Sequence, residues 1–216
     1  MALPSVVDMS YVNHVTLEVT DIEAATRFCS GALGLDPGTS RVRLRQVDAP
    51  AAGFRGFALT LITAQPADVD ALVDAASGAG ATILKPPTKS IWGYGASLQA
   101  PDGTVWQIAS ESKKNSGPPT TDVVEIVLLL GVADVKATKR AYVERGLEVK
   151  KSFGGKYVEF ASPDGAVNLA LYGHDALAKQ VGVPAEGSGS HRIVLSSTAG
   201  PFTDPDGFVW EAPATA

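Results

Sequence analysis

Hydrophobic and polar positions change their period several times along the chain. From Tyr11 to Thr20 apolar and polar residues alternate and β-branched residues are frequent, which predicts a strand. Asp21 then caps a helix whose apolar side runs through Ile22, Ala25, Phe28 and Cys29 to Leu33, and Gly34 ends it. Arg41 to Gln46 reads as a second strand that sets Arg41, Arg43 and Arg45 on one face, and Phe57 to Ile62 as a third. A helix opening at Asp68 stops at Gly78 and Gly80. Ala81 to Leu84 is a short strand, Pro86-Pro87 a break, and Gly95 to Gln99 a further strand. The polar, turn-rich run from Glu111 to Asp122 reads as a linker. Beyond it the opening pattern returns. A strand spans Val123 to Leu130 and a helix Asp134 to Arg145, with Gly146-Leu147 answering Gly34-Leu35. A hairpin follows (Lys156 to Ala161, Val167 to Tyr172), then a helical piece and Gly/Ser loop from His174 to Gly189, and a strand from His191 to Ser196.

One phrase is written twice. Pro101-Asp102-Gly103-Thr104-Val105-Trp106-Gln107 and Pro205-Asp206-Gly207-Phe208-Val209-Trp210-Glu211 are each a tight turn followed by a strand, and Pro163-Asp164-Gly165 is a looser echo. Repeated turn-and-strand units point to internal duplication. The expected organisation is a first domain at 1–112, a linker at 113–122, and a second domain at 123–216. The two phrases lie closer together than the two Gly-Leu pairs, so the C-terminal part of the second domain is expected to be shortened.

Composition narrows the function classes. With 216 residues, 45% of them hydrophobic, the chain can form one or two cored domains. A net charge of -5 gives no electrostatic reason to expect nucleic acid or an anionic membrane as a partner. The N-terminal residues lack the basic segment and apolar run of a secretory signal, and no stretch reaches the roughly 20 apolar residues of a membrane span. A single cysteine permits no internal disulfide, in keeping with a cytoplasmic location.

Taken in order, several motifs resemble one superfamily. They are His14-Val-Thr-Leu-Glu-Val-Thr-Asp21, the helix ending Gly-Leu, an Asp-Val-Asp-Ala-Leu helix followed by Gly-Ala, Trp92-Gly-Tyr94, and the closing Pro-Asp-Gly-x-x-Trp-Glu. Together they resemble the vicinal oxygen chelate superfamily of glyoxalase I, bleomycin-resistance proteins, fosfomycin-resistance thiol transferases and extradiol dioxygenases. The resemblance implies an α+β fold: tandem glyoxalase-like domains built from paired βαβββ modules, whose curled mixed sheets form cups. It also implies metal ligands at the start of a module's first strand and near the end of its last. By that correspondence His14, His191 and Glu211 are the candidate ligands of one divalent transition metal (Zn, Mn, Fe or Ni). The reciprocal cup has Ile126, an apolar residue near Phe57, and Gln107 in the matching places, and is expected to have lost its metal.

Each residue also has a plainer reading. His14 can be a hydrogen-bonded core histidine, His191 an exposed imidazole after a flexible loop, and Glu211 a solvated strand-end carboxylate. The arginine face can blunt a sheet edge, or it can line the cup and neutralise an anionic substrate. Trp92 and Tyr94 can pack beneath a loop or line the pocket mouth; Trp106 and Trp210 read as structural anchors. The leading expectation is a metal-dependent enzyme acting on a small oxygenated substrate as a lyase, thiol transferase or dioxygenase. In it Glu211 doubles as catalytic base, and Arg41, Arg43, Arg45, Trp92 and Tyr94 bind substrate. The alternative is a metal-free binder of a small molecule or drug. Either way the expected partner is a small molecule, and the chain is a monomer or homodimer.

Overall fold

A computed structural model of the chain describes residues 9–48 and 51–213. In its first half Val12–Val19 (β1) leads through Asp21 to Ile22–Ala32 (α1), then Val42–Gln46 (β2), Ala52–Gly53 (β3) and Phe57–Ile62 (β4). Pro66–Gly78 (α2), Thr82–Ser90 (β5), Gly93–Gln99 (β6) and Val105–Ser110 (β7) complete that half. The second half runs Glu125–Val132 (β8), Val135–Val143 (α3), Val149–Ser152 (β9), Tyr157–Phe160 (β10), Asn168–Gly173 (β11) and His174–Val181 (α4). It closes with Gly187–Ser188 (β12), Ile193–Ser197 (β13), Phe202–Thr203 (β14) and Val209–Glu211 (β15).

Local chemistry accounts for the boundaries. The Asp21 carboxylate accepts from the Ala24 amide at 2.9 Å, and Asp134 accepts from Lys136 and Ala137 at 2.8 and 3.1 Å, so α1 and α3 begin where expected. The second helix begins earlier than expected, with Gln65 as its N-cap and Pro66 in its first turn. Asp68 is buried instead, accepting from Gln65 Nε2 at 3.0 Å and the Thr120 amide at 2.8 Å. Gln65 Oε1 accepts from the Ser116 and Gly117 amides at 2.6 and 3.0 Å, so the polar run between the halves is pinned to the start of α2. Nor do Pro86 and Pro87 break the chain. They lie within β5, an edge strand whose register slips between Ile83, Lys85 and Thr88, where a missing N–H costs no ladder bond. The polar β9, unmarked by alternation, is the opposite edge.

Two large sheets share one plan. In the eight-stranded sheet, β4 and β7 are parallel neighbours, as are β8 and β11, and the two sets join through antiparallel β4 and β8. The order is β5-β6-β7-β4-β8-β11-β10-β9, two complete βαβββ modules back to back. The other sheet, β14-β15-β13-β1-β2, repeats this with strands missing. β1 lies parallel to β2, β13 parallel to β15, and antiparallel β1 and β13 join them. The first module thus has its helix α1 but only an opening and a closing strand in the sheet, and the last has no helix between β13 and β14. The N-terminal and C-terminal modules both have fewer elements than the two between them. A small third pairing, β3 with β12, ties the approaches to β4 and β13 together.

The repeated turns sit at module joints. Gly103, Gly165 and Gly207 all have left-handed backbone (φ 86, 82 and 92), which explains glycine after Pro-Asp each time. The Asp206 carboxylate accepts from the Ala133 amide and the Thr138 hydroxyl, both at 2.7 Å, at the entry to α3. Asp204 accepts from the Tyr142 hydroxyl at 2.5 Å. Beneath these joints lies one apolar core made of β1, β4, β7, β8, β13 and the sides of α1, α2 and α3. Trp106 and Trp210, each 1% exposed, anchor its two ends. Among the described residues no helix is long and apolar enough to cross a membrane.

Candidate functional site

Register brings two of the three expected metal ligands onto one row. His14 on β1 is opposite Ser196 on β13, and Ser196 is opposite Glu211 on β15, so the three side chains share a face of the five-stranded sheet. Thr16 pairs with Arg43 and Glu18 with Arg45 on the same face. The sheet curls enough for Arg45 to reach across β1 and β13 to Glu211. Its guanidinium lies 3.0 Å from one carboxylate oxygen and 3.2 Å from the other, with Glu18 at 3.6 Å. That fork raises the pKa of Arg45 and occupies the Glu211 carboxylate. The His14 imidazole is pushed below its ordinary pKa, chiefly by burial and then by Arg43, with Glu211 opposing. Arg41 is drawn off the face, donating to the Ala166 carbonyl at 3.0 Å.

His191 does not join them. It precedes β13 in a loop, with Nδ1 2.7 Å from the Arg55 carbonyl oxygen and Nε2 2.9 Å from that of Asp206. Its ring stacks on Phe208, with centroids 3.9 Å apart. The next residue, Arg192, takes a left-handed φ of 57 where the corresponding approach to β4 has Gly56 at φ 77, so the strand begins only at Ile193. Both imidazole nitrogens are therefore committed to backbone. Among the described residues no three His, Cys, Asp or Glu side chains gather as a metal would need. The donor set expected from the sequence does not fit a metal in this arrangement.

The eight-stranded sheet is different. At the same distance before the helix N-cap as His14, its two modules carry Ala58 and Val127, and Gln107 stands in the closing strand. Much of its hollow is filled. The apolar side of α4 (Leu177, Ala178, Val181) packs on Ala58, Leu129 and Ala170. Lys85 on β5 holds the helix end, donating to the Lys179 and Gln180 carbonyls at 2.9 and 2.6 Å.

What α4 leaves open is a cavity of about 1030 Å³ toward the sheet's outer strands. Its mouth lies between two hairpins from opposite edges, one carrying Trp92 and the other Phe153, which are 78% and 54% exposed. Tyr157 and Tyr172 form an aromatic wall, with ring centroids 5.0 Å apart, and Phe153 lies 6.0 Å from Tyr157. Gln107 contributes an amide that accepts from Thr60 at 3.2 Å. Tyr94 also lines the cavity, but its hydroxyl donates to Asp70 of α2 at 2.7 Å, which pushes its pKa up to about 12. Of the residues marked from sequence, Trp92 and Gln107 thus meet in this cup, Tyr94 borders it with its side chain turned to α2, and Arg43, Arg45, His14 and Glu211 face the other. Phe153, Tyr157, Tyr172 and Lys151 carry no motif. The available signal was alternation, which puts Tyr157 and Glu159 on one face opposite Ala170 and Tyr172.

Comparison with known proteins places this geometry. The family model of the Glyoxalase/Bleomycin resistance protein/Dioxygenase superfamily matches residues 36–108. The V278E variant of glyoxalase I from Zea mays superposes with a TM-score of 0.61 at 17% identity, over 93% of this chain and 91% of that one. The E144Q variant of the same maize enzyme gives 0.58 at 16% identity, over 95% of each chain. No curated protein matches. At these identities the structures establish the shared fold. Residues 36–108 are thus similar to the Glyoxalase/Bleomycin resistance protein/Dioxygenase superfamily, and the chain as a whole has the fold of glyoxalase I.

Proposed function

We propose that this protein binds a small, flat, largely apolar molecule in the cup of its eight-stranded sheet, without using a metal there. The carrying observation is the open cavity with exposed Trp92 and Phe153 at its mouth. A large exposed aromatic at a concave, preformed site signifies a ligand more than it does stability, because burying it against the fold would have been favourable. The cavity volume suits a drug-sized molecule. Apolar residues and α4 occupy the middle of the sheet, where a chelating set would have to stand.

Trp92 tests this directly, since Trp106 and Trp210 are buried. Titrating flat aromatic compounds in excess chelator should quench or shift Trp92 emission saturably, and calorimetric titration should show Trp92→Ala weakening the binding while the unfolding midpoint stays unchanged. Ligand binding that needs a stoichiometric divalent metal would overturn the proposal.

A second reading, a metal-dependent lyase, transferase or dioxygenase, keeps one observation in its favour. His14 and Glu211 stand on the same row of the smaller sheet. It requires Arg45 to leave Glu211, and it predicts stoichiometric metal lost in both His14→Ala and Glu211→Ala.

A further inference from the structure

Resting on the cup reading above, we infer that the ligand is a planar aromatic molecule carrying one anionic group, and that Lys151 is the partner of that group. The aromatic half of the argument is the wall of Phe153, Tyr157 and Tyr172 facing Trp92 across the mouth. Planar rings gain dispersion and quadrupole contacts there that aliphatic ligands of equal area do not.

The anionic half comes from following each charge at the cavity to its partner. Lys85 is committed to the two carbonyls at the end of α4. Glu159, across the β9–β10 ladder from Lys151, is neutralised by Lys150 at 2.7 Å and accepts from the Tyr157 hydroxyl at 3.2 Å. Glu111 follows β7 at the cavity and makes no salt bridge among the described residues; its charge reaches Lys150, whose ammonium is held by Glu159. Lys151 lines the cavity and makes no ion pair among the described residues. Its ammonium lies 5.1 Å from the centre of the Phe153 ring. A cation parked over an aromatic face at a cavity mouth is held in place yet keeps its hydrogen-bond donors. A ring stacked along Phe153 and Tyr157 would bring a carboxylate, sulfonate or phenolate substituent beside that ammonium. The contact would be partly desolvated and so stronger than a surface pair.

The test uses dyes that differ in charge. Anilinonaphthalene sulfonate is planar, aromatic and anionic; N-phenylnaphthylamine is its uncharged counterpart, and proflavine a planar cation. With the full chain, the dyes' own fluorescence should show the sulfonate binding about tenfold tighter than the neutral compound, an advantage that shrinks as salt is raised. Lys151→Gln should bring the sulfonate to the affinity of the neutral compound and leave the neutral compound unchanged, while Trp92→Ala weakens both. Equal binding of neutral and anionic dyes, a preference for proflavine, or insensitivity to Lys151→Gln would overturn the anion assignment and leave the cup standing. If none of the three dyes perturbs Trp92, or Trp92→Ala binds them all unchanged, the cup reading fails with it.

Discussion

The two sheets of this molecule begin from one plan and end in different places. Each joins two modules through antiparallel first strands, with parallel closing strands beside them. The eight-stranded sheet has its outer hairpins, and Ala58, Val127 and Gln107 stand where a histidine and a glutamate stand in the smaller one. The five-stranded sheet has kept a histidine and a glutamate on its face and lost the strands that would wall them in. Enclosure and ligating chemistry have thus been separated. A cavity needs walls more than it needs particular side chains, whereas a chelate site needs both. The larger sheet can still bind, and the smaller one has turned its remaining charges on each other through Arg45, Glu18 and Glu211.

Both sheets rest on one core, and this is where the comparison can be broken most violently. Trp106→Ala and Trp210→Ala should each cost about 3–5 kcal/mol of stability in urea unfolding, because both indoles are buried in the same apolar cluster. If Trp210→Ala costs under about 1 kcal/mol, the pruned sheet is an appendage and the symmetry drawn above is only topological.

His191 offers a smaller break. His191→Ala removes the imidazole that bridges the Arg55 and Asp206 carbonyls and stacks on Phe208, at an expected cost of about 1–3 kcal/mol. Dye affinity at the cup should be unchanged. A ligand role would show the reverse pattern, with lost metal and retained stability.

Tyr142, under the smaller sheet, gives a pH signature. Burial and the neighbouring Asp204 raise its hydroxyl well above the ordinary tyrosine value. The folded state therefore holds this proton more tightly than the unfolded chain does. The resulting stability is fully present below pH ~10 and is lost above it, at about 1.4 kcal/mol per pH unit. Thermal unfolding between pH 8 and 11.5 (roughly two units around the tyrosine value) should show the decline, and Tyr142→Phe should make it shallower. Tyr157 and Tyr172 of the cup wall are also raised, chiefly by burial, and Tyr94 by its hydrogen bond to Asp70, so the slope that remains belongs to the larger sheet.

The gentlest test is Arg45→Ala. The pair with Glu211 is about half exposed, so the loss should be on the order of 0.5 kcal/mol, or about 1–2 °C in Tm. Calorimetric titration of that variant with Zn, Mn, Fe and Ni then asks whether a freed Glu211 and His14 take up metal. Stoichiometric uptake would return the smaller sheet to the chemistry its row suggests.

Much of this was legible in the residues. Caps at Asp21 and Asp134, the repeated Pro-Asp-Gly turns and the period-two strands depend on neighbours in sequence, so local reading finds them. What escaped depends on distant pairing. His191 reads as the start of a strand, but the left-handed Arg192 delays that strand to Ile193, and no local signal marks a non-glycine residue there. Pro86 and Pro87 read as a break because their tolerance depends on β5 being an edge. The cup itself was invisible. Trp92 and Phe153 belong to different halves, and only the pairing of β4 with β8 turns their hairpins toward one space. Arg45 and Glu211 likewise lie at opposite ends of the chain, so their union follows from curl rather than from pattern.

The helix lodged in the larger sheet has a consequence for how this protein could change its ligand. One wall of the cavity is α4, which presents Gln180 to the open space and Leu177, Ala178 and Val181 to the strands. Depth is thus set by a single short element laid on the sheet rather than by the strands that hold the fold together. Trimming its apolar side would lengthen the chamber, and enlarging Gln180 would shorten it, with every ladder bond left in place. Ligand size is in this sense a replaceable insert, adjustable without renegotiating the fold.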